Sequence, residues 1–435
     1  MDDQTIPALP ATASALVRPS AVRWQIFAFI AALTVINLTD RTAIAIGMPT
    51  IAHEFALPPF TQGLILSAFF WTYALMQIPG GWLIDRIGPS RIIGGATLLW
   101  GFFQGVTMFA TGSVSLLGLR LGLGVAEAPL FPAGGKLNAL WLAPQERGRG
   151  AVIMDSGSYL GAALGGLLIS WLILTLGSWR LAFGLAGLAT MGLGLLALRI
   201  LHDDPRSHPR VNAAELRTIT TAAPATGPGA PCVALVARRG VVAIMAGRLG
   251  WAMINFGLLT WGPSYLTQAR GLDLKQMGMA SFAIFGAGCL GALGAGFLSD
   301  RLQQRGAPRN MVLKTMLGLS GLAVLGAFLA LPHVTSAVMA IWLLAGTYFM
   351  VGWGSLYWSF PALLAPPAAA GMVGGLMNFA GSVGGIIVPI LAGAILQRSG
   401  SYNAVLLMFA GCAALYVCGT LLIPFGRTNS TGRRA

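Results

Sequence analysis

Twelve long apolar stretches restrict what this chain can fold into. Each has about 20 residues or more, the length with which an α-helix crosses the hydrocarbon core of a bilayer. Only 9% of the 435 residues are charged, whereas soluble proteins have roughly a quarter. We therefore predict an all-α membrane protein with twelve transmembrane helices. The predicted helices cover residues 24–48, 60–84, 92–110, 114–138, 149–176, 180–201, 240–268, 277–298, 311–331, 336–360, 368–396 and 402–425.

A repeated basic loop divides the helices into two groups of six. The first copy, GWLIDRIGPSR, covers residues 81–91, and the second, GFLSDRLQQR, covers residues 296–305. Their aspartates, Asp85 and Asp300, are 215 residues apart, which is close to half of the chain. This spacing indicates two similar six-helix halves, as in transporters built from parallel repeats. We expect the glycine that opens the first copy, Gly81, to pack closely.

The domain boundaries follow from these halves. We predict an N-terminal tail (1–23), an N-terminal six-helix bundle (24–201), a linker (202–239), a C-terminal six-helix bundle (240–425) and a C-terminal tail (426–435). The linker contains the stretch TAAPATGPGAP, a composition typical of a flexible, partly disordered segment. With fewer than 40 residues, it is too short for a folded enzyme or sensor domain.

The positive charge of the chain is concentrated on one side of the predicted membrane domain. A formal net charge of +14 would suggest nucleic acid as a partner in a soluble protein, so the distribution of charge decides. With a cytoplasmic N-terminus, 20 of the 27 Lys and Arg residues fall on inner segments, 4 on outer loops and 3 within helices. This positive-inside pattern predicts that both termini are cytoplasmic. Anionic lipid headgroups account for the basicity without nucleic acid.

Four charged residues in predicted helices 1 and 4 lie at membrane depth, where charge is costly and usually functional. Asp40 and Arg41 are adjacent, whereas Arg120 and Glu127 are seven residues apart. Two helical turns place Arg120 and Glu127 on one face, about 10 Å apart along the axis. Helices 1 and 4 run in opposite directions, so Arg120 is expected at nearly the depth of Asp40. We predict a coupled acid–base cluster on a substrate path. The alternative is a structural salt bridge between helices 1 and 4.

Two further charges at membrane depth favour structural roles. Asp155 lies near the inner end of predicted helix 5, where it is expected to pair with Arg147 or Arg149. Arg248 lies about eight residues into predicted helix 7, close enough to the surface to snorkel towards it. In predicted helix 5, glycines at 157, 161 and 165 recur at intervals of four, which predicts a ridge for close helix packing.

Four stretches of the chain are distinctive: NLTDRTAIAIGMPTIAHEF, SAFFWTYALMQIPGGWLIDRIG, RLGLGVAEAPLFPAG and QERGRG. They resemble the anion:cation symporter branch of the major facilitator superfamily, and most closely its bacterial sugar-acid transporters. The resemblance implies that Asp40 and Glu127 are proton-coupling carboxylates. It also implies that Arg41 and Arg120 take part in binding the substrate carboxylate, and that Tyr73 lines the cavity.

The same resemblance extends to the second half of the chain and to the basic loops. It implies that Ser355, Trp358 and Asn378 contact substrate hydroxyls. It implies gating of the conformational change by the loop residues Gly81, Asp85, Arg86, Arg91, Asp300 and Arg301. Ser158 departs from the pattern, because galactonate-like members are expected to carry a longer polar side chain there, such as glutamine.

These observations predict a monomeric transporter in the inner membrane of a bacterium. It would take up a small organic anion with protons by alternating access. This anion is expected to be a sugar acid, namely a hexonate, hexuronate or aldarate. The proton gradient would supply the energy, and no cofactor is expected. Three alternatives stay open: an exporter of hydrophobic drugs, an exchanger of phosphorylated sugars, and a transporter-like receptor. An enzyme is not expected, since the four histidines lie near predicted loops and no metal or nucleophile constellation is present.

Overall fold

A computed structural model describes residues 19–143, 146–220, 239–360, 363 and 367–423. The regular structure in these ranges is helical. The helices are α1 (Val22–Glu54), α2 (Pro59–Ile87), α3 (Pro89–Val106), α4 (Ser113–Glu127), α5 (Leu130–Trp141), α6 (Arg147–Leu176), α7 (Trp179–Ile200), α8 (Ala213–Thr220), α9 (Arg239–Ser264), α10 (Leu274–Gln304), α11 (Arg309–Ala330), α12 (Ala337–Gly352), α13 (Pro367–Ser399) and α14 (Tyr402–Leu421). A 3₁₀ segment, Trp353–Ser359, extends α12.

The helices confirm the predicted all-α membrane fold. Within the described ranges, eleven helical segments are long and apolar enough to cross a bilayer, with α4 and α5 forming one of them. A twelfth span results when Pro59–Gln77 and Pro79–Ile87, the two parts of α2, are taken as one helix bent by 54°. Pro79 lies at this bend and accounts for it. Proline lacks the N–H that a helix interior needs, and its ring clashes with the preceding turn.

The spans pack as two bundles, one before and one after the linker. In the N-terminal bundle α1 packs on α6, α2 on α4 and α3 on α7, while in the C-terminal bundle α14 packs on α9 and α11, and α10 on α12. The glycine ridge of α6 lies against α1, where a Cβ at Gly161 would collide with the carbonyl oxygen of Val35. This confirms the predicted ridge, since only residues without a side chain allow the two backbones to approach so closely.

The two bundles meet through α1 and α9, α2 and α13, and α6 and α10. We call the face at which α1 begins the terminal face and the opposite face the distal face. At the distal face, the Phe60 N–H donates to Gln397 Oε1 at 3.0 Å. Deeper in the interface, the ring centroids of Phe70 and Phe256 lie 4.5 Å apart. These contacts close the interface from the distal face to the middle of the bundles.

The first part of the linker is folded against the terminal face of the N-terminal bundle. Asp203 Oδ1 accepts a hydrogen bond from the Ser90 N–H at 2.8 Å, at the beginning of α3. Such carboxylates satisfy backbone N–H groups that a helix end leaves free. The prediction of a flexible linker is therefore wrong for residues 202–220. Residues 221–238 lie outside the described part of the chain.

Glu215 of α8 holds the linker to the beginning of α1. Its carboxylate is fully buried, and it accepts hydrogen bonds from the backbone N–H groups of Val22 and Arg23, each at 3.0 Å. The Arg23 guanidinium lies 2.9 Å from Glu215 Oε1 and also pairs with Glu146 at 3.0 Å. One carboxylate therefore ties the linker to the first membrane helix.

We expect Glu215→Gln to lower the thermal stability of the protein. Burial alone would raise the pKa of Glu215, but hydrogen bonds from Ser20, Arg23 and Val22 outweigh burial and hold this pKa below its usual value. The stabilisation from the charged form is therefore complete above the unfolded-state pKa and disappears as pH falls through the folded-state pKa. At neutral pH we expect a loss of about 1–3 kcal/mol, typical for a hydrogen bond to a charged group.

Thermal unfolding in detergent measures this effect across pH. The difference between wild type and Glu215→Gln should shrink as the pH falls below about 4, because the wild-type carboxyl then protonates. Asp300→Asn is the matched control, since Asp300 is exposed at the end of α10. Equal melting temperatures for wild type and Glu215→Gln at neutral pH would contradict the role of Glu215.

Candidate functional site

Arg41 and Glu127 form a buried ion pair that joins α1 to α4. Arg41 Nη2 lies 2.8 Å and Nε lies 3.2 Å from Glu127 Oε2, and Nη2 also donates to Asn37 Oδ1 at 3.2 Å. Glu127 is 0% exposed, and its second oxygen, Oε1, has no hydrogen-bond partner among the described residues. A salt bridge between helices 1 and 4, which the sequence offered as the structural alternative, is therefore present. Its unsatisfied acceptor is costly when buried, which is typical of functional sites.

Two aromatic residues of α2 support this ion pair. The rings of Phe69 and Tyr73 stack with centroids 5.3 Å apart, because residues four apart share a helix face. The Arg41 guanidinium carbon lies 4.4 Å from the Phe69 centroid and 5.0 Å from the Tyr73 centroid. The structure thus places Tyr73 beside Arg41, and it adds Phe69, which the sequence analysis did not single out.

Arg120 is a buried cation that lies against the same aromatic ring as Arg41. It is 5% exposed, its guanidinium carbon lies 5.1 Å from the Phe69 centroid, and its Nε has no hydrogen-bond partner among the described residues. Glu127 is close enough to interact with it electrostatically, although it is Arg41 that forms the ion pair with Glu127. A guanidinium with free donors in a low-dielectric site is suited to binding a carboxylate.

Asp40 lies on another side of α1. Its Oδ2 accepts hydrogen bonds from Thr190 Oγ1 of α7 at 2.8 Å and from Trp100 Nε1 of α3 at 3.2 Å. In the described part of the chain, hydrogen bonds therefore do not join Asp40 to Arg41, Arg120 or Glu127, the other members of the predicted cluster. Adjacent residues of a helix project roughly 100° apart, so Asp40 faces α3 and α7 while Arg41 faces α2 and α4. Glu127 still interacts electrostatically with Asp40.

One of the three candidates from the C-terminal bundle, Trp358, lies near Arg248. The guanidinium carbon of Arg248 is 3.9 Å from the Trp251 centroid and 5.6 Å from the Trp358 centroid. Ser355 lies one turn before Trp358 on the same 3₁₀ segment, and Asn378 lies on α13; both are partly exposed. Of the three residues predicted to contact substrate hydroxyls, Trp358 is the one that lies against a charged side chain within the described ranges.

The structural roles expected for Asp155 and Arg248 are not observed. The Arg147 side chain donates to the carbonyl oxygens of Leu142 and Ala139, and no ion pair of Asp155 occurs in the described ranges. Asp155 interacts electrostatically with Arg248 of the other bundle instead. Arg248 does not snorkel to the surface, because the ring of Trp251, one turn along α9, holds its guanidinium in the interior.

The first basic loop forms a contact at the terminal face of the N-terminal bundle. Asp85 Oδ1 lies 2.7 Å from Lys136 Nζ of α5, and the Asp85 side chain is 77% exposed. The expectation that Gly81 packs closely is wrong, since a Cβ there would meet no atom within 4 Å, whereas a Cβ at Gly80 would lie 3.5 Å from Pro129. The other predicted gating residues lie exposed at the terminal face: Arg86, Arg91, Asp300 and Arg301.

Comparisons with known proteins agree with this architecture. The family model of the Major Facilitator Superfamily matches residues 30–389. A probable galactarate/D-glucarate transporter of Escherichia coli (strain K12) is 32% identical over 424 residues, which is 93% of this chain and 95% of the relative. The D-galactonate transporter of Escherichia coli O6:H1 is 31% identical over 433 residues, or 95% and 98% of the two chains.

A solved structure shares the fold at low sequence identity. It is a bacterial homolog of the human lysosomal transporter Spinster, in an inward-facing and unoccupied conformation. The TM-score is 0.71 at 18% identity, and the match covers 92% of this chain and 93% of the other.

Proposed function

Because this chain belongs to the Major Facilitator Superfamily, and its relatives are named as transporters and not as enzymes, we propose that it takes up a sugar acid together with protons. The names of two relatives, which refer to galactarate, D-glucarate and D-galactonate, support this class of substrate. The class comprises aldarates, hexonates and hexuronates, each of which carries at least one carboxylate and several hydroxyls.

The observation that carries the proposal is the unpaired Arg120 beside the Arg41–Glu127 ion pair. A buried guanidinium needs an acceptor to offset its desolvation, and among the described residues Arg120 has no ion-pair partner. A substrate carboxylate would provide two oxygens in the planar geometry that guanidinium donors favour. The hydroxyls of the substrate would then reach Tyr73 and, across the interface, Ser355, Trp358 and Asn378.

Coupling to protons follows from the competition for Arg41. When Glu127 is charged, it holds Arg41 in the ion pair at 2.8 Å. A proton on the unpartnered Oε1 would neutralise Glu127 and release Arg41, which could then join Arg120 in binding the substrate carboxylate. Proton and substrate would thus favour each other's binding, as linkage requires. Asp40 would be a second proton-binding carboxylate. A change in its charge would act on α3 and α7 through the hydrogen bonds that it accepts from Trp100 and Thr190.

Alternating access would move the two bundles around this site. Opening of the distal side would break the contact between Phe60 and Gln397, while the terminal face closes through its basic loops. The positive-inside pattern supports a cytoplasmic terminal face in a bacterial inner membrane, with both termini cytoplasmic. We propose that a monomer performs the full cycle, powered by the proton gradient without a cofactor.

Uptake into proteoliposomes tests the proposed function. With an imposed pH gradient, wild-type protein should accumulate labelled galactarate, D-glucarate or D-galactonate, and a protonophore should abolish the accumulation. One pH unit corresponds to about 1.4 kcal/mol, so each coupled proton can drive roughly tenfold accumulation. Accumulation of none of these acids, or accumulation that is insensitive to the gradient, would refute the proposal.

Asp40→Asn should remove one proton from the coupling without disturbing the fold. The amide oxygen of Asn can still accept hydrogen bonds from Thr190 and Trp100, so local packing should remain. We expect the accumulation ratio to fall about tenfold per pH unit of gradient, with counterflow close to wild type. Asp204→Asn, in the exposed part of the linker, is the matched control. A wild-type accumulation ratio in Asp40→Asn would contradict proton binding at Asp40.

A further inference from the structure

Arg248 of α9 is a second buried arginine, and it lies in the C-terminal bundle. Its side chain is 92% buried, as its residue exposure of 8% indicates, and its Nε and Nη1 atoms have no hydrogen-bond partner among the described residues. Unlike Arg23, Arg41 and Arg180, it forms no ion pair in the described ranges. A buried guanidinium with two free donors is unfavourable unless a ligand satisfies it.

Two tryptophan rings and a glycine lie beside the Arg248 guanidinium, and they leave its Nε and Nη1 donors without an acceptor among the described residues. The ring of Trp251 lies 3.9 Å and that of Trp358 lies 5.6 Å from the guanidinium carbon. Stacking stabilises the cation through the faces of the rings and leaves the N–H groups in the guanidinium plane free to donate. On α13, a Cβ at Gly381 would lie 3.7 Å from Arg248 Nε, so no side chain from that position covers the nitrogen.

Arg248 faces the interface between the bundles. Asp155 and Tyr159 of α6, which belong to the N-terminal bundle, both interact with it electrostatically. Both are only partly buried, so this part of the interface is accessible to a solute. Ser158 lies on the same face of α6, and its Oγ also has no hydrogen-bond partner among the described residues. Asp155 and Tyr159 of the N-terminal bundle therefore lie within electrostatic range of the Arg248 guanidinium in the C-terminal bundle.

Each bundle thus contributes one buried arginine with free donors and an aromatic side chain beneath it. In the N-terminal bundle Arg120 lies over Phe69, and in the C-terminal bundle Arg248 lies over Trp251. We propose that Arg248 binds a second anionic group of the substrate, so that the site prefers a dianion, such as a six-carbon dicarboxylate, over the monoanion of equal length. This inference rests on the proposed function, since it names the substrate class of the same site.

The two-ended arrangement also gives the substrate a role in moving the bundles. A dianion held by Arg120 at one end and by Arg248 at the other would join the N-terminal to the C-terminal bundle. When the site is empty, Asp155 provides the nearest counter-charge for Arg248. The substrate carboxylate would replace this weak interaction with direct charge-assisted hydrogen bonds, which are stronger than an interaction beyond ion-pair distance.

Binding of matched acids to Arg248→Gln tests the inference. The probes are galactarate and D-glucarate as dianions, and D-galactonate and D-gluconate as monoanions of the same carbon number. Purified protein in detergent is titrated with each acid and followed by intrinsic tryptophan fluorescence and thermal shift. We expect Arg248→Gln to weaken dianion binding by about 30-fold or more, as expected when one partner of a buried charge pair is removed. Monoanion binding should change less than about threefold, which is the size of a surface effect.

Three further variants separate binding from folding. Arg248→Lys keeps the charge and should recover part of the dianion affinity, without the planar fork of the guanidinium. Asp155→Asn removes the competing carboxylate and should leave dianion binding unchanged or tighter. Arg180→Gln, at a partly exposed arginine of the distal face, is the control for losing a positive charge elsewhere.

The possible outcomes are distinct. Equal loss of both classes of acid, or no loss of either, in a folded Arg248→Gln protein would overturn the assignment of Arg248 to the second anionic group. Wild-type protein that binds the monoanions better than the dianions would overturn the inference and leave the proposed function intact. Wild-type protein that binds none of the four acids would overturn both.

Discussion

Glu127→Gln is expected to remove from the coupling the proton that Glu127 carries, while counterflow of the same substrate continues. Glutamine resembles the protonated glutamate in shape and charge, so Arg41 would remain released and able to bind the substrate carboxylate. Because glutamine cannot exchange a proton, the contribution of this proton to the link between substrate movement and the pH gradient is lost. The accumulation ratio should therefore fall by roughly tenfold per pH unit of gradient.

The measurement compares uphill uptake with counterflow in the same proteoliposomes. Glu54→Gln is the matched control, because Glu54 lies at the distal face in a partly exposed pair with Arg180, and such pairs contribute at most about 1 kcal/mol. It should accumulate substrate like the wild type. Normal accumulation by Glu127→Gln would exclude the proposed proton relay. Loss of both activities together with a lower melting temperature would favour a purely structural clamp between α1 and α4.

Arg120→Gln is expected to weaken substrate binding about 100-fold without destabilising the protein. Arg120 has no hydrogen-bond acceptor among the described residues, so its replacement breaks no ion pair and removes a buried charge. Removal of a buried charged partner typically costs a ligand about 2–5 kcal/mol, which predicts a dissociation constant raised about 100-fold. The melting temperature of the ligand-free protein should stay the same or rise, as is common where function opposes stability.

Binding assays and thermal unfolding together test this prediction. A structural role for Arg120 would lower the melting temperature and the affinity in parallel, whereas a binding role lowers the affinity alone. Arg180→Gln provides the control, since it removes a partly exposed arginine from the distal face. Unchanged affinity for sugar acids in Arg120→Gln would remove the observation on which the proposed function depends.

Much of the fold could be predicted from local properties of the sequence. Helix number, the two halves and the glycine ridge of α6 depend on hydropathy and spacing along the chain, and these need no knowledge of distant contacts. The linker was predicted less well. Its composition indicates flexibility, but Asp203 and Glu215 bind the ends of α3 and α1, and such long-range capping leaves no local pattern in the sequence.

The candidate site, like the fold, could be predicted from the sequence only in part. A charge in an apolar helix is visible in the sequence because its cost depends on its immediate surroundings, and this identified Asp40, Arg41, Arg120 and Glu127. Which of them pair depends on the rotation and depth of neighbouring helices. Trp100 and Thr190, the partners of Asp40, carry no charge and therefore gave no comparable signal.

The sequence by itself determined that this protein crosses the membrane as two six-helix halves with scarce charges in helices 1 and 4, because hydrophobic transfer is a property of each segment. Only the tertiary structure decided that Arg41 pairs with Glu127 and that Asp40 accepts hydrogen bonds from α3 and α7. It also decided that Arg120 and Arg248 have donors without a partner among the described residues. Hydrogen bonds extend about 3 Å and are directional, so small rotations of packed helices select the partners.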